Sequence, residues 1–284
     1  MRNVKFSGLL RYDDLGFSLH RLTPTQDYRP HTHDFYEMEI ILSGSAINSI
    51  NGTSFPVGPG NVFIVGEGAT HEISQIDRLE LYNLGFNRHA LRNIGVDLLK
   101  LPGFHALFQM DQTEDSTLRR LKLEPAELKK AQRLLDEMHE EYVQAHPGFQ
   151  TVLLGEFAHL IVLLSRNYSR AIPERGTWQM AAALAKMERD FAEPLSIAEL
   201  ADSVYLSERH FRRQFEKLYQ QTPKDYLQNL RLHAATELLL QKGMSVTDIA
   251  LACGFSDCNY FSRAFRQNFG ISPTEYRKRV FSLK

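Results

Sequence analysis

The sequence predicts an α+β protein in two parts: an antiparallel β sandwich or barrel carrying a helical hairpin, followed by an all-α C-terminal domain. Three observations predict it. Short β-type runs separated by turn formers fill residues 17–86, apolar residues recur at helical spacing from residue 124 onward, and two C-terminal segments repeat each other. A chain of 284 residues, 43% of them hydrophobic, is long enough for two cores.

Charge and cysteine content narrow the classes of function. Residues 175–284 hold 16 Lys and Arg against 12 Asp and Glu, so the basic excess of this otherwise acidic chain lies near its C-terminus and favours a polyanionic partner. Cys253 and Cys258 have no partners at zinc spacing, which argues against a zinc finger and a disulfide framework. The longest apolar run, residues 160–164, is too short for a membrane span and no signal peptide is visible, so we expect a cytoplasmic protein.

The β-rich part is assigned to residues 1–120. The stretches LSGSA, INGTS, PVGPGN and GEGAT are typical of turns, and they separate the β-type runs EMEIIL, AINSI, NVFIV and HEISQI. After them, residues 121–170 predict two helices that are broken at HPG, residues 146–148. We expect this hairpin to mediate dimerisation.

The apolar stripe of the second hairpin helix needs a partner, because it is too apolar for a solvated surface. That partner is either the β part or the same helix of a second subunit. The stripe comprises Val152, Leu153, Leu160, Ile161, Leu163 and Leu164. The polar segment AIPERG then predicts a linker over residues 171–177, and residues 178–284 read as helical.

Within residues 178–284 one structural unit is used twice. LSIAELADSVYLSERHFRRQFEKLYQQTPKDYL can be laid over MSVTDIALACGFSDCNYFSRAFRQNFGISPTEYR, with Phe211, Phe215 and Pro223 falling 50 residues before their counterparts. Each copy predicts a short helix, residues 197–203 or 246–252, a tight turn, and a second helix that starts at Glu208 or Asp257 after a capping serine. This is the arrangement of a helix-turn-helix. A connecting helix is predicted from Pro223 to Gln241.

The second helix of each copy has the composition of a DNA-reading helix. Phenylalanines four residues apart bury one stripe, which turns arginine and asparagine outward. Arginine can pair with guanine and asparagine with adenine, and a helix fits the major groove. For one such helix alone, the charged residues could simply form a solvated face. The same pattern occurs twice at a fixed interval, which argues against that alternative. The predicted DNA-binding residues are Arg209, Arg212, Arg213, Asn259, Arg263 and Arg266.

The run GFSDCNYFSRAFRQNFGISPTEYRKR closely resembles the signature of AraC/XylS-type transcription regulators, and the resemblance extends back to about Trp178. It implies promoter DNA as a partner, a homodimer, RNA polymerase as a further partner, and regulation, mainly activation, of transcription. Cys258 departs from the pattern, since family members often carry proline or a polar residue there. The N-terminal half, including LPGFHALFQ, looks most like that of the L-rhamnose regulators within the family.

The stretch HTHDFYEMEI, residues 31–40, concentrates polar residues on one face of a predicted strand. Alternation places His31, His33, Phe35, Glu37 and Glu39 on that face. HxH followed by Glu37, and later PVGPGNVFIVGEGATH ending in His71, resembles the two-part pattern of cupin barrels. The fold class is therefore an N-terminal cupin-like barrel with a helical hairpin and a C-terminal domain of two helix-turn-helix units.

The resemblance leaves three roles for these polar residues. They line an effector pocket, hold a metal ion, or are satisfied structural histidines. In the family's sensor barrels the matching positions bind a small polar effector, often a sugar, and the effector-binding set here is His31, His33, Glu37, His71, Phe35 and Tyr36, with Phe63 as a further wall. In metal-binding cupins His31, His33, Glu37 and His71 would be the four ligands.

We favour the effector pocket, and expect no cofactor and no enzymatic activity. The sequence contains no GxSxG, P-loop or GxGxxG motif, so an enzyme would have to rest on a metal in the barrel. The alternative is accordingly a metal-dependent cupin enzyme, an isomerase or dioxygenase, fused to a DNA-binding domain.

Overall fold

The structure is a computed structural model that describes residues 2–5, 8, 16–87, 90–91, 95–109, 119–168, 175–241 and 243–282. Contacts between residues divide the chain into an N-terminal unit, Met1–Ala181, and a C-terminal unit, Ala182–Lys284. The α+β class is confirmed, with a sheet and a hairpin in the first unit and helices in the second. Of the predicted linker, residues 171–174 lie outside the described residues. Residues 175–177, also assigned to the linker, are helical.

The described part of the N-terminal unit forms one eight-stranded sheet with the order β1-β3-β7-β4-β6-β8, in which β2 also pairs with β7 and β5 with β4. The strands are β1 (Arg2–Val4), β2 (Phe17–Leu22), β3 (Tyr28–His33), β4 (Tyr36–Ile50), β5 (Thr53–Val57), β6 (Asn61–Val65), β7 (His71–Phe86) and β8 (Arg120–Lys122). β1 pairs with β3 in parallel and the other described pairs are antiparallel, so the purely antiparallel prediction is wrong at β1.

β4 runs straight through LSGSA, where the sequence predicts a turn between two strands. The pairing of β4 with β7 shifts register repeatedly between Ile41 and Ile47, so the turn formers produce bulges and not a chain reversal. Gly44 has φ 77°, and a Cβ there would lie 2.2 Å from the carbonyl oxygen of Arg78. Glycine is required at this position because the two backbones approach too closely for any side chain.

The outer face of β2, β4 and β7 is apolar and lies under the helical hairpin. Phe17 of β2 stacks on Phe157 at 4.9 Å between ring centroids, and Phe86 of β7 lies 5.9 Å from the same ring. Tyr36, at the start of β4, stacks on Phe86. Since side chains alternate along a strand, the residues between these apolar ones point to the inner face of the sheet.

The hairpin consists of α1 (Pro125–Gln144) and α2 (Phe149–Tyr168), and the break falls at HPG as predicted. Leu153, Leu160, Ile161 and Leu164 are fully buried within the N-terminal unit, whereas Val152 is 45% exposed. Most of the stripe that we expected to pair two subunits is therefore covered by the subunit's own sheet and helices. In length and composition α2 matches a membrane-crossing helix, and seven of its residues are buried in this unit.

Before the hairpin, residues 96–109 form three short consecutive helical segments, Val96–Lys100, Pro102–Phe104 and His105–Gln109. The middle segment lies directly on α2. A Cβ at Gly103 would come within 2.0 Å of the Ser165 carbonyl oxygen, so only glycine permits this approach. The contact helps to explain why α2 has little apolar surface left for another subunit.

The C-terminal helices are α3 (Arg175–Asp190), which crosses the division between the units, α4 (Ile197–Ser203), α5 (Glu208–Tyr219), α6 (Pro223–Leu239), α7 (Val246–Ala252), α8 (Cys258–Phe269) and α9 (Pro273–Ser282). The two short helices α4 and α7 have the predicted bounds, and each begins with a capping box. Ser207 caps α5 as predicted. Asp257, not Ser256, caps α8, which therefore begins one residue later than predicted.

The two recognition helices, α5 and α8, are held by the same kind of aromatic core. Phe211 and Phe215 of α5 are fully buried, as are Phe261 and Phe265 of α8. The ring of Tyr226 meets Phe215 edge-on, and Tyr276 meets Phe265 in the same way, both at 5.6 Å or less between centroids. The repeat seen in the sequence is thus a repeat of packing. It fixes which face of α5 and α8 remains exposed.

Candidate functional site

The inner face of the sheet encloses a cavity of about 340 Å³. Residues from five strands line it, namely β1, β2, β3, β4 and β7, together with Phe35 between β3 and β4. The lining residues are Val4, His20, Leu22, Tyr28, His31, His33, Phe35, Glu37, Glu39, His71 and Asn83. Polar groups cluster at one wall and apolar groups form the rest, which is the usual composition of a small-molecule site.

Five of the six residues predicted to bind an effector line this cavity. His31 and His71 are directly paired across β3 and β7, with 4.2 Å between their ring centroids. The carboxylate of Glu37 lies between the histidines: its Oε2 is 2.9 Å from Nε2 of His71 and 3.3 Å from Nε2 of His33. Phe35 packs beside His33, with 4.5 Å between the centroids.

Tyr36, predicted as the sixth member, does not line this cavity. Its side chain is buried on the outer face of the sheet, against Phe86 and beneath the guanidinium of Arg119. Phe63, predicted as a wall, belongs instead to the apolar core with Phe55. Tyr36 is excluded by alternation, because it lies between Phe35 and Glu37 and points to the opposite face. Phe63 lies opposite Glu39 in the β4–β6 register and shares the inner face, but it packs with Phe55 and does not line the cavity.

The sequence analysis missed several lining residues, of which Glu39 and Asn83 matter most. Glu39 shares the predicted polar face with Glu37, and this signal was available from alternation. Asn83 lies opposite Glu39 in the β4–β7 register and donates hydrogen bonds to Glu37 and, at 3.4 Å, to Glu39. In the sequence, Asn83 is a lone amide in the buried run LYNLGF, which is a weaker signal. His20 and Tyr28 were also missed.

The pKa values of the two buried carboxyl groups, Glu37 and Glu39, are shifted in opposite directions. Burial opposes the charge on Glu37, but hydrogen bonds from His33, His71 and Asn83 outweigh it and hold the pKa of Glu37 below its ordinary value. Burial raises the pKa of Glu39 well above its ordinary value, and the neighbouring charge of Glu37 raises it further. The cavity therefore offers Glu37 as a charged acceptor beside Glu39, a carboxyl group that its surroundings drive toward the neutral form.

Backbone contacts orient two of the histidine rings. Nδ1 of His31 lies 2.9 Å from the carbonyl oxygen of Arg29, and Nδ1 of His33 lies 2.7 Å from that of Phe35. Because a carbonyl oxygen only accepts, each Nδ1 carries the hydrogen and each Nε2 faces the cavity. Ligand atoms of His31, Glu37 and His71 lie within 4.8 Å of one another, so these three could hold a metal ion.

The exposed faces of α5 and α8 carry the predicted DNA-binding residues. Arg209 and Arg213 of α5, and Asn259, Arg263 and Arg266 of α8, are all exposed, while Arg212 is half-buried. Arg212 is paired with Glu208, with Nε and Oε1 at 2.8 Å, and Arg213 donates to Nδ1 of His210 at 3.2 Å. No acidic residue occurs between Cys258 and Phe269, so α8 presents its cations without carboxylate neighbours on the same helix.

The chain matches two protein-family models. Residues 15–161 match the AraC-like ligand binding domain, and residues 200–279 match a helix-turn-helix domain. The first match includes the described cavity apart from Val4, and the second includes both recognition helices.

Curated relatives match along most of the chain. The HTH-type transcriptional activator RhaS of Escherichia fergusonii is 31% identical over 258 residues, which are 90% of this chain and 89% of the relative. RhaS of Enterobacter sp. (strain 638) is also 31% identical, over 257 residues with the same coverage. Among solved structures, an AraC-type regulator from Chromobacterium violaceum is 38% identical, covering 36% of this chain and 90% of that one at a TM-score of 0.34. The chain belongs to the AraC family of DNA-binding transcription regulators with a ligand-binding domain.

Proposed function

We propose that this protein is a cytoplasmic transcription activator that binds promoter DNA through α5 and α8 and responds to a small polar effector, a sugar, in the cavity of its N-terminal unit. The observation that carries the proposal is that a single chain combines two helices with exposed arginine and asparagine with a cavity that has a polar wall. The relatives described above bear the name transcriptional activator. RNA polymerase is the further partner that activation requires.

The C-terminal unit suits double-stranded DNA because its two readers are joined by a rigid spacer. α6 spans 17 residues, which at about 1.5 Å per residue is roughly 26 Å. This approaches the pitch of DNA, about 34 Å, so α5 and α8 can enter successive major grooves. The outward arginine and asparagine side chains then face base edges, with the phenylalanine stripes turned inward.

The cavity suits a neutral molecule rich in hydroxyl groups. Each hydroxyl both donates and accepts, and the cavity wall supplies both functions in Glu37, Glu39 and Asn83. Phe35, Leu22 and Val4 provide the apolar contact that the ring carbons of a sugar need. The same relatives are regulators and not enzymes by name, which favours sensing over catalysis here.

The effector would act on the N-terminal arm, residues 1–16, because part of the arm lies at the cavity. β1 pairs with β3 beside His31 and His33, Val4 lines the cavity, and Lys5 forms an ion pair with Asp34 at 3.0 Å. Residues 1, 6–7 and 9–15 lie outside the described part. Regulation requires the effector to bind two states with different affinity, and about 1–3 kcal/mol of coupling changes DNA affinity 5- to 150-fold.

Two subunits would pair through the outer face of the hairpin. Val143 of α1 and Val152 of α2 are 48% and 45% exposed, Leu163 is half-buried, and the remaining four residues of the predicted stripe are buried within the subunit. A dimer holds two half-sites at once, which raises its affinity for an operator. Sedimentation of the full chain and of a Val143→Glu/Val152→Glu variant tests this. We expect a dimer and a monomer respectively, and a monomeric parent chain would contradict the assignment.

A reporter titration tests the effector site. Candidate sugars are screened for induction, and the dose–response of the parent protein is compared with that of Glu37→Gln, which removes a charged acceptor and keeps the shape. We expect the Glu37→Gln curve to move to higher effector concentration while operator binding without effector stays unchanged. His146→Gln, an exposed histidine after α1, serves as the control. An unchanged curve for Glu37→Gln and for His33→Ala would move the effector site elsewhere.

A further inference from the structure

We propose that His31, Glu37 and His71 bind one divalent transition-metal ion, and that its remaining coordination positions face the cavity, where oxygen atoms of the effector complete them. The inference deepens the proposed function and rests on the cavity being the effector site. The three residues come from three different strands, β3, β4 and β7, and their ligand atoms lie within 4.8 Å of one another. Two neutral imidazoles and one carboxylate suit Zn, Fe or Mn.

The orientation of the first ligand is already fixed. Nδ1–H of His31 donates to the backbone carbonyl of Arg29, which leaves the lone pair of Nε2 directed into the cavity. Histidines that bind metals almost always make such a contact with their second nitrogen, because it fixes the tautomer and the ring orientation. The His31 ring is therefore already ordered in the folded protein, and binding of an ion does not have to order it.

The carboxylate is held in a similar way. Asn83 donates to Oε1 of Glu37, and this leaves Oε2 near the two histidines. Nε2 of His71 is 2.9 Å from Oε2, and no described residue partners Nδ1 of His71. A buried carboxylate surrounded by imidazole nitrogens needs a positive charge among them, either a proton or a metal ion.

His33 is a positioning residue and not a fourth ligand, which departs from the four-residue set implied by the cupin resemblance. Its ring centroid is 6.4 Å from that of His31, compared with 4.2 Å between His31 and His71. Nδ1–H of His33 donates to the carbonyl of Phe35, and Nε2 faces Oε2 of Glu37 at 3.3 Å. The backbone contact thus fixes the His33 ring in place beside Glu37.

Three protein ligands leave coordination positions open, and the cavity has space and polar groups beside them. Its volume of about 340 Å³ accommodates a small ligand. Oε2 of Glu39 is fully buried on this wall, and no described residue partners it. An effector with two adjacent oxygen atoms, such as a vicinal diol, can coordinate the ion through one or both and meet Glu39 with a neighbouring hydroxyl.

The test uses the full chain, stripped of metals with a chelator and titrated with Co²⁺, whose visible absorption reports nitrogen and oxygen coordination. We expect one equivalent to bind. His71→Ala and Glu37→Gln should weaken Co²⁺ binding at least about 100-fold, and His33→Gln about 10- to 100-fold, as for outer-shell partners of metal ligands. His146→Gln is the control, because His146 is an exposed histidine outside the cavity. Its affinity should equal that of the parent chain.

Azide, a small metal-binding anion, tests the open positions. We expect it to shift the spectrum of the Co²⁺-loaded chain, and an unchanged spectrum would overturn the claim that the ion faces the cavity. The metal site itself is overturned if no stoichiometric Co²⁺ binds, or if His71→Ala binds as tightly as the parent chain. In that case a shifted effector response in Glu37→Gln would still support the proposed effector cavity, so the two proposals fail separately.

Discussion

The cavity of the N-terminal unit and the exposed faces of α5 and α8 both carry polar side chains, but under opposite conditions. In the cavity, Glu37 is buried, and its position is set by His33, His71 and Asn83. On α8, Arg263 and Arg266 are exposed to solvent and project from a helix whose own fold depends on the buried phenylalanines. A polar group in the cavity is thus held by contacts within the folded protein. An arginine on the exposed face of α8 makes no such contribution to the fold.

Because of this difference, substitutions in the cavity should lower stability, whereas substitutions of the exposed arginines should change DNA binding alone. A buried polar group that loses its partner retains the cost of desolvation, so a substitution in the cavity affects folding as well as ligand binding. An exposed arginine has no such cost, and its removal is felt when DNA binds. The following substitutions test that contrast, beginning with the largest expected effect.

Asn83→Ala should destabilise the N-terminal unit by about 3 kcal/mol, because it removes the shared donor of two buried carboxyl groups. Urea unfolding of the full chain, read by hydrogen exchange within residues 36–86, measures the loss. Asn268→Ala is the control: it removes an exposed amide hydrogen bond from α8 to Asn229 and should cost less than about 0.5 kcal/mol. Equal losses of unfolding free energy in the two variants would contradict the proposed contrast between the cavity and the exposed helix surface.

Arg213→Ala and Arg263→Ala should each weaken binding to the specific operator by about 1–3 kcal/mol, with a smaller loss on random DNA. Their unfolding free energy should change by no more than about 0.5 kcal/mol, since both side chains are exposed. Lys130→Ala, on the exposed surface of α1, is the control. Fluorescence anisotropy on both DNAs gives the comparison, and equal losses on the two would identify phosphate contacts instead of base contacts.

Lowering the pH should weaken the N-terminal unit through His105. Burial lowers the pKa of His105 to about 4, although Nε2–H donates to the Leu99 carbonyl at 2.6 Å. Because the folded state favours the neutral ring, this stabilisation is complete above the unfolded pKa of about 6.5 and is lost as the pH falls toward 4. At pH 5 we expect a loss of about 2 kcal/mol. His105→Gln keeps a donor but should lose this pH dependence, and an unchanged slope between pH 7 and 5 would contradict the assignment.

Glu208→Gln should give the smallest effect. It breaks the ion pair with Arg212 across one turn of α5, an exposed i, i+4 contact that contributes only about 0.3–0.5 kcal/mol to stability. The released arginine should bind random DNA slightly more tightly, and the salt dependence of binding should steepen. Glu216→Gln changes the same charge on α5 without an ion pair to Arg212. If only Glu208→Gln altered stability and both variants altered DNA binding, the change in stability would be due to the ion pair and the change in DNA binding to the net charge of α5.

Sequence alone determined the elements whose information is local or repeated. The capping residues, the phenylalanine spacing and the duplication specified α4, α5, α7 and α8, because a helix is defined by contacts within a few residues. Alternation along HTHDFYEMEI likewise placed four polar residues on one face, and five of the six predicted effector residues line the cavity. The AraC family followed from the run after Gly254.

Tertiary structure decided what depends on contacts distant in sequence. The bulges in β4 arise from the approach of Gly44 to Arg78, and LSGSA alone does not distinguish them from a turn. Asn83 reaches Glu37 only through the register of β4 and β7, and Phe63 packs with Phe55 in the apolar core although it shares a face with Glu39. The burial of the α2 stripe depends on Gly103 and the sheet. Such contacts join residues across 30 or more positions, where the spacing of residues carries no signal about which of them meet.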